Sequence, residues 1–118
     1  GKASEFTYRI EFEDEDLILT SVSEEFPQIT GLSHEAVLGQ KTLEKFVHDD
    51  DVDAVRSHIM KIKDGSNSTC EYRIRCKDNS YIQVLDYGKP EWDEREEQVR
   101  AARCAVSVDE AYAQITEV

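Results

Sequence analysis

The first part of the chain alternates regularly between apolar and polar positions. The apolar members of this alternation are Phe6, Tyr8, Ile10 and Phe12. A period of two predicts a strand with one buried face. An acidic turn over 13–16 and a second apolar segment over 17–22 follow it. The pattern therefore predicts a hairpin of two strands at the start of the fold.

Two short helices are expected after this hairpin. Ser23 and Ser33 each precede a short helical segment, and a serine hydroxyl can accept a hydrogen bond from a free amide of the first turn. Gly31 lies between the two segments and can adopt the positive φ that commonly ends a helix. We therefore expect serine caps at both positions and a helix end at Gly31.

A longer helix is predicted over 51–63. Its apolar residues recur at offsets of three, four and three and form one stripe. They are Val52, Val55, Ile59 and Ile62. Three aspartates at 49–51 suit the positive end of this helix, and lysines at 61 and 63 suit its negative end.

Strand patterns dominate the second half of the chain. The next alternation places Cys70, Tyr72, Ile74 and Cys76 on one face. A tight turn over 77–80 follows, in which Asn79 tolerates left-handed geometry. Further strands are predicted over 81–87 and 98–108, with a polar connection over 88–97 between them. The whole order predicts an α+β fold with helices on one face of an antiparallel sheet.

Composition narrows the classes of function. The chain has 118 residues, which fits one domain, and its net charge of −12 argues against nucleic acid as a partner. It has no apolar stretch near the roughly 20 residues of a membrane span, so we expect no direct membrane contact. Three cysteines do not resemble a disulfide framework and favour a reducing, cytoplasmic setting, whether or not the parent protein is membrane-anchored.

Four segments in the correct order and spacing resemble motifs of the PAS family. They are SEEFPQITGLS at 23–33, similar to the "TGYS" stretch; AVLG at 36–39, similar to "ELLG"; FVHDDD at 46–51, similar to "LVHPDD"; and EYRIRCKDNS at 71–80, similar to "EYRIRRKDGS". Each motif alone is weakly specific, whereas the four together are strong. The resemblance covers residues 6 to 110.

The resemblance implies a PAS-like (profilin-like) fold, with a five-stranded antiparallel sheet curled around a small cavity and short helices on one face. It implies one sensory domain over 1–108 and the start of a C-terminal signalling helix over 109–118. An apolar stripe there is compatible with a coiled coil, or with a tail that packs on the sheet. Its residues are Val108, Tyr112, Ile115 and Val118. In this family such a helix commonly dimerises, so a homodimer is expected in the full-length protein.

A cavity between sheet and helices is the candidate binding site, and a small organic molecule is its expected occupant. Its expected lining is Phe26, Ile29, Leu38, Phe46, Val55, Ile59, Tyr72, Ile74 and Cys104. Tyr72 would supply one oriented hydroxyl. The alternative is that these residues fill one another's space as an ordinary core.

Cofactor chemistry has weak support in the sequence. The family's light-sensing flavin domains use an Asn-Cys-Arg-like motif, which the chain lacks. His58, the candidate haem ligand, lies about 80° from the centre of the apolar stripe and is expected to be solvated. His48 is interpreted as a local hydrogen-bonding residue. Helix capping explains the aspartates at 49–51 without a metal ion.

The sequence thus predicts a sensory and signal-transduction domain of a larger protein such as a sensor histidine kinase, without catalytic activity of its own. The parent protein is expected to be a kinase or cyclase. Two alternatives remain open. The domain is a ligand-free dimerisation or docking module, or it is a small cavity-based enzyme. The enzyme needs a buried acid or base, for which Asp86 is the candidate, although a surface position explains Asp86 equally well.

Overall fold

A computed structural model describes residues 4–39 and 45–109. Within these residues the strands are β1 (Glu5–Glu13), β2 (Asp16–Val22), β3 (Ser68–Arg75), β4 (Tyr81–Asp93) and β5 (Gln98–Val108). The helices are α1 (Glu25–Thr30), α2 (His34–Val37) and α3 (Val52–Lys63), and a 3-10 turn, Asp49–Asp51, leads into α3. Among the helices described, none combines the length and apolar character needed to span a membrane.

The strands form one antiparallel sheet in the order β2-β1-β5-β4-β3. The two N-terminal strands pair as a hairpin, and β3, β4 and β5 form a meander whose last strand returns to pair with β1. A bulge between Arg9 and Ile10 shifts the register of the first hairpin. The predicted α+β fold, with five antiparallel strands in the described part of the chain, is therefore confirmed.

The core lies between the inner face of the sheet and the helices. Its centre on the helical side is α3, from which Val55, Ile59 and Ile62 are almost fully buried. All three of these side chains belong to the stripe spaced three to four residues apart, and the helix ends at Lys63 as the pattern predicts. The burial of this stripe fixes α3 against the strands that follow it.

One strand boundary differs from the prediction. The segment expected as a polar connection over 88–97 continues β4 as far as Asp93. The pairing with β3 ends at Gly88, and beyond it β4 pairs with β5 alone. Pro90 lies in this edge segment, where a residue without an amide proton is tolerated. Polar composition indicated a loop here because an edge with solvent beside it accepts polar side chains.

The predicted cap and turn residues are mostly confirmed. Gly31 has a φ of 78°, Asn79 has a φ of 67°, and the Ser33 side chain accepts from the Ala36 amide. The predicted cap at Ser23 is wrong, because α1 has no side-chain cap. The Ser23 hydroxyl oxygen accepts instead from the Thr7 amide, so it joins the helix entry to β1.

Candidate functional site

A cavity of about 70 Å³ lies between the inner face of the sheet and the helices. Its lining residues are Phe6, Tyr8, Ile10, Leu17, Leu19, Val22, Phe26, Phe46, Val47, Val55, Tyr72 and Ile74. Among these described side chains, those of the two tyrosines alone carry a polar atom. The cavity is therefore an apolar space with a polar contribution from two phenol groups.

Five of the nine residues proposed from the sequence line this cavity, namely Phe26, Phe46, Val55, Tyr72 and Ile74. The structure places the other four elsewhere. Ile59 and Cys104 are buried in the core, Ile29 is half-buried and packs against it, and Leu38 is 37% exposed. Leu38 follows the last residue of the short helix α2, in extended geometry that carries it away from the core.

Sequence reasoning missed the part of the lining that comes from the first hairpin. Phe6, Tyr8 and Ile10 of β1, with three residues of β2, contact the cavity. Their alternation was visible, but which side of the sheet would carry the helices was not. Because side chains alternate across a strand, knowing that face would have identified the hairpin residues at once.

A buried carboxylate joins the two tyrosines of the cavity. Asp86 of β4 is completely buried, and its Oδ2 accepts from the Tyr8 hydroxyl at 2.5 Å and from the Tyr72 hydroxyl at 2.7 Å. Of the two positions left open for Asp86, the surface one is therefore wrong and the buried one is confirmed. Its neighbours on the same strand face, Val84 and Gly88, are also buried, so the alternation of β4 turns Asp86 inward.

His58 of α3 completes this buried network. Its Nε2 lies 3.1 Å from Asp86 Oδ1, and its Nδ1 lies 2.9 Å from Ser68 Oγ. The expectation that His58 is solvated is wrong, because only 2% of the residue is exposed. The flank of the helical stripe is covered by the curved sheet, and Asp86 satisfies the polar ring there. With both ring nitrogens engaged, neither is free to ligate haem iron in this arrangement.

The proton positions in this network follow from the chemistry of its members. Burial raises the pKa of the Tyr8 and Tyr72 hydroxyls well above the ordinary value, and the nearby charge of Asp86 adds to the effect. Both phenols therefore remain protonated at neutral pH. An ionised carboxylate can only accept hydrogen bonds, so each phenol donates its single proton to Asp86.

Three groups around the carboxylate could in principle offer atoms to a metal ion. One nitrogen of His58, one oxygen of Asp86 and the sulfur of Cys104 all lie within 4.8 Å of one another. The imidazole and the carboxylate already bind each other. Burial, followed by the charge of Asp86, raises the pKa of the Cys104 thiol. A metal ion requires the thiolate, so this environment opposes metal binding.

The acidic segment before α3 has structural partners. His48 Nδ1 accepts from the Asp50 amide, which confirms its predicted local role. Asp51 does not cap the helix with its side chain. Its Oδ2 accepts a hydrogen bond from the Arg73 backbone amide, and its two carboxylate oxygens form a bidentate salt bridge with the Arg73 guanidinium. The Arg73 contact lowers the pKa of the Asp51 carboxyl.

A second charged cluster crosses strands β1, β4 and β5. Glu91 accepts from Arg9 and Arg100 at 2.7 Å each, and Arg103 lies 3.7 Å away. These contacts, with the Arg9 hydrogen bond as the largest contribution, lower the pKa of Glu91 to about 2. The cluster ties the three strands together away from the cavity.

Comparison with known protein families gives one match over most of the described chain. A family model described as the PAS fold matches residues 19–103. No match is found among curated protein sequences.

Solved structures with the same backbone arrangement come from several kinds of protein. A variant of the PAS-B domain of Drosophila melanogaster Cycle, with bound glycerol, has a TM-score of 0.77 and 23% identity, covering 88% of this chain and 99% of that one. The N-terminal domain of a Marinobacter aquaeolei diguanylate cyclase with a PAS/PAC sensor has a TM-score of 0.75 and 13% identity, covering 88% and 94%.

A longer protein also contains this arrangement. The blue-light activated histidine kinase of Erythrobacter litoralis has a TM-score of 0.69 and 18% identity, and the match covers 92% of this chain and 34% of the kinase chain. At these levels of identity the three structures establish the similarity of fold alone.

Proposed function

The chain belongs to the PAS family, and from that premise we propose that it is the sensory domain of a larger signalling protein and responds to a small molecule in its cavity. Similar domains occur in a diguanylate cyclase and in a histidine kinase, which supports a parent of this kind. We propose a sensor histidine kinase as parent, a cytoplasmic position for the domain, and no catalytic activity of the isolated domain.

The observation that carries the proposal is the cavity with Tyr8 and Tyr72 in its lining. Space in a protein interior forfeits the van der Waals contacts that a filled core would make. A molecule that fits the space restores those contacts, and the phenols give it an orientation. The glycerol bound to the Cycle PAS-B variant supports a small-molecule partner for a domain of this fold.

The buried network supplies a route from the cavity to the rest of the domain. Tyr8 belongs to β1, Tyr72 to β3, Asp86 to β4 and His58 to α3, and all four meet at one carboxylate. A molecule that moves either tyrosine changes a hydrogen bond shared by these four elements. The result is a shift between two populations of the packed domain, as expected for a ligand that prefers one of them.

We propose that this shift reaches the output through the segment that follows β5. That segment, 109–118, is proposed as the start of a signalling helix that dimerises, and all of it except Asp109 lies outside the described residues. Deleting it from the full-length protein is expected to uncouple the sensor from its output. Signalling that survives the deletion would contradict this coupling.

The direct experiment is a ligand screen on the purified chain. We expect at least one uncharged small molecule to raise the melting temperature and to shift NMR signals of cavity methyl groups, because binding to the folded state alone stabilises it. Native mass spectrometry and an absorption spectrum would identify any molecule that co-purifies. The cavity-filling variant Val55→Phe should lose the response, whereas Val52→Phe, on the same helix but outside the lining, should keep it.

One observation favours the docking alternative as a second candidate. Leu85 and Tyr87 alternate with buried residues of β4, point to the outer face of the sheet and are 45% and 47% exposed. An apolar pair on a sheet face suits contact with another protein. A wild-type chain that dimerises, and whose dimer is lost in Leu85→Lys but not in Val55→Phe, would support docking on this face. A chain that binds no compound at all would favour docking over sensing.

Asp86 is the buried acid that the enzyme alternative requires, but its position does not favour catalysis. Its Oδ2 accepts hydrogen bonds from the two phenols, and its Oδ1 is hydrogen-bonded to His58. A general base needs a lone pair within reach of a substrate proton. Here both carboxylate oxygens are committed to protein donors, so the arrangement supports sensing over catalysis.

A further inference from the structure

We infer that the cavity selects an uncharged molecule of a few heavy atoms that donates a hydrogen bond, such as a short alcohol, over molecules that can only accept one. This inference rests on the proposed sensory function and specifies the ligand of the same cavity. It follows from the direction of two hydrogen bonds, at Tyr8 and at Tyr72.

Any side-chain hydrogen bond from the described lining to an occupant must involve one of these two phenol oxygens. Each hydroxyl has a single proton, and both protons are directed at Asp86 Oδ2. What remains on each oxygen is accepting capacity. An occupant with an O–H or N–H group can therefore bond to a phenol oxygen while both phenol O–H groups keep donating to Asp86.

An occupant that can only accept would have to turn one phenol O–H away from the carboxylate. If the Tyr72 hydroxyl turned toward a ketone, Asp86 Oδ2 would keep one donor in place of two. Asp86 is completely buried, so no water replaces the lost donor. An under-satisfied buried charge is costly, and this cost falls on ketones, ethers and esters but not on alcohols.

The charges around the cavity further narrow the class of ligand. The carboxylate of Asp86 lies directly behind both phenols and repels an anionic occupant. A cation would be attracted, but it would leave its hydration shell for a space whose other described lining side chains are hydrocarbon. Neither phenol can offer it a full negative charge, since both remain protonated. An uncharged occupant avoids both penalties.

The volume of the cavity limits the size of its occupant. An apolar protein cavity of about 150 Å³ holds benzene, and one water in the liquid occupies about 30 Å³. The cavity here, about 70 Å³, therefore suits a molecule of about four heavy atoms. Affinity for so small a molecule is limited, and dissociation constants in the millimolar range are expected.

The test compares three probes of four heavy atoms each: 2-propanol, acetone and acetate. Each is titrated into the purified chain while the methyl signals of the cavity valines, leucines and isoleucines are followed by NMR. We expect 2-propanol to bind about three- to tenfold more tightly than acetone, the ratio that one net hydrogen bond provides. Acetate should bind more weakly than acetone.

Two variants locate the preference at the network. Tyr72→Phe removes one acceptor and should weaken 2-propanol with little effect on acetone, so that the affinity ratio falls. Asp86→Asn offers amide protons to the phenols, which frees their own protons for the cavity and should bring the ratio to one or invert it. Tyr87→Phe is the matched control, since it removes a tyrosine hydroxyl at an exposed position outside this cavity, and the ratio should stay unchanged.

The outcomes separate this inference from the proposed function. Acetone or acetate binding as tightly as 2-propanol would overturn the donor rule and leave a small-molecule sensor in place. So would a ratio that is unchanged in Tyr72→Phe. Because Asp86 retains its contacts with Tyr8 and His58 in that variant, Tyr72→Phe still tests the inference if Asp86→Asn fails to fold. If these probes and every other compound of the screen fail to bind, both the inference and the sensory proposal are wrong.

Discussion

Gly88 of β4 lies directly beneath Ile62 of α3, so that a Cβ placed on Gly88 would stand 2.3 Å from Ile62 Cδ1 and 2.9 Å from Cys104 Sγ. Both distances are shorter than any ordinary contact. Ile62 is completely buried, which leaves its side chain little room to turn away. The absence of a side chain at this one position therefore sets how closely the long helix approaches the sheet.

Gly88→Ala is expected to destabilise the domain by about 1–3 kcal/mol, because overpacking a close-packed core forces side chains and backbone apart. Urea unfolding followed by circular dichroism measures the change. The double variant Gly88→Ala/Ile62→Val removes the Cδ1 atom that clashes, and it should recover part of the loss. If Ile62→Val and Gly88→Ala simply add, the two residues are not in conflict.

Removing Asp86 should destabilise the domain more than removing the hydroxyl of one of its tyrosine partners. Asp86→Ala strands two phenols and His58 without their partner, and we expect a loss of about 3–5 kcal/mol. Tyr72→Phe removes one donor from a carboxylate that retains Tyr8, and we expect about 1–2 kcal/mol. Urea unfolding midpoints give both values. Equal effects of the two variants would show that Asp86 is not the shared partner.

The Glu91 cluster predicts a pH dependence with a defined direction. The pKa of Glu91 falls from an ordinary 4.5 to about 2 in the folded chain, so the folded state favours the ionised form. Its stabilisation is present above about pH 4.5 and is lost as the pH falls through about 2. Glu91→Gln should therefore lower stability near neutral pH and make little difference near pH 2.

The size of this effect is limited by the exposure of the partners. Arg100 and Arg103 are more than half exposed, so solvent screens part of the attraction, and we expect about 1–2 kcal/mol near neutral pH. Glu96→Gln, an exposed change in the turn between β4 and β5, is the matched control. A stability difference between the wild-type chain and Glu91→Gln that increases on acidification would contradict the lowered pKa of Glu91.

The three cysteines should differ in reactivity toward iodoacetamide. Burial raises the pKa of all three thiols, and the charge of Asp86 adds to the shift at both Cys70 and Cys104. The burial is deeper at Cys104, which is 3% exposed. Cys70 is the most accessible of them. Since the thiolate is the reactive form, Cys70 should be modified first and Cys104 last, as read by peptide mass spectrometry.

Denaturant provides the control for this order. In the unfolded chain the three rates should converge, because burial and the neighbouring carboxylate no longer act. Modification of Cys104 in the folded chain at the rate of Cys70 would contradict its placement beside Asp86 in the core.

Much of the fold was readable from local patterns. The spacing of Val52, Val55, Ile59 and Ile62 identified α3 almost to the residue. Alternating segments identified β1 and β3, and further strand-like segments predicted β2 and β5. These signals are local, because a helix or a strand must present its apolar residues on one face whatever it packs against. The left-handed residues Gly31 and Asn79 were equally readable from their own chemistry.

The candidate site was only half readable. Phe26, Phe46, Val55, Tyr72 and Ile74 were identified as lining, whereas the share of the first hairpin was missed. The buried roles of His58 and Asp86 were missed as well, since a polar residue in a charged chain is usually solvated. The cost of burying them is offset by their contact with each other, by the two tyrosine hydroxyls and by Ser68.

The sequence by itself determined the elements, their order and the family, because these depend on spacing and turn chemistry along the chain. The tertiary structure alone decided that Tyr8, His58, Tyr72 and Asp86 meet at one point. Those residues lie up to 78 positions apart, and no local pattern encodes which distant strand will lie beside which. Register across the sheet brings the donors to the carboxylate, and only then does burying that charge become favourable.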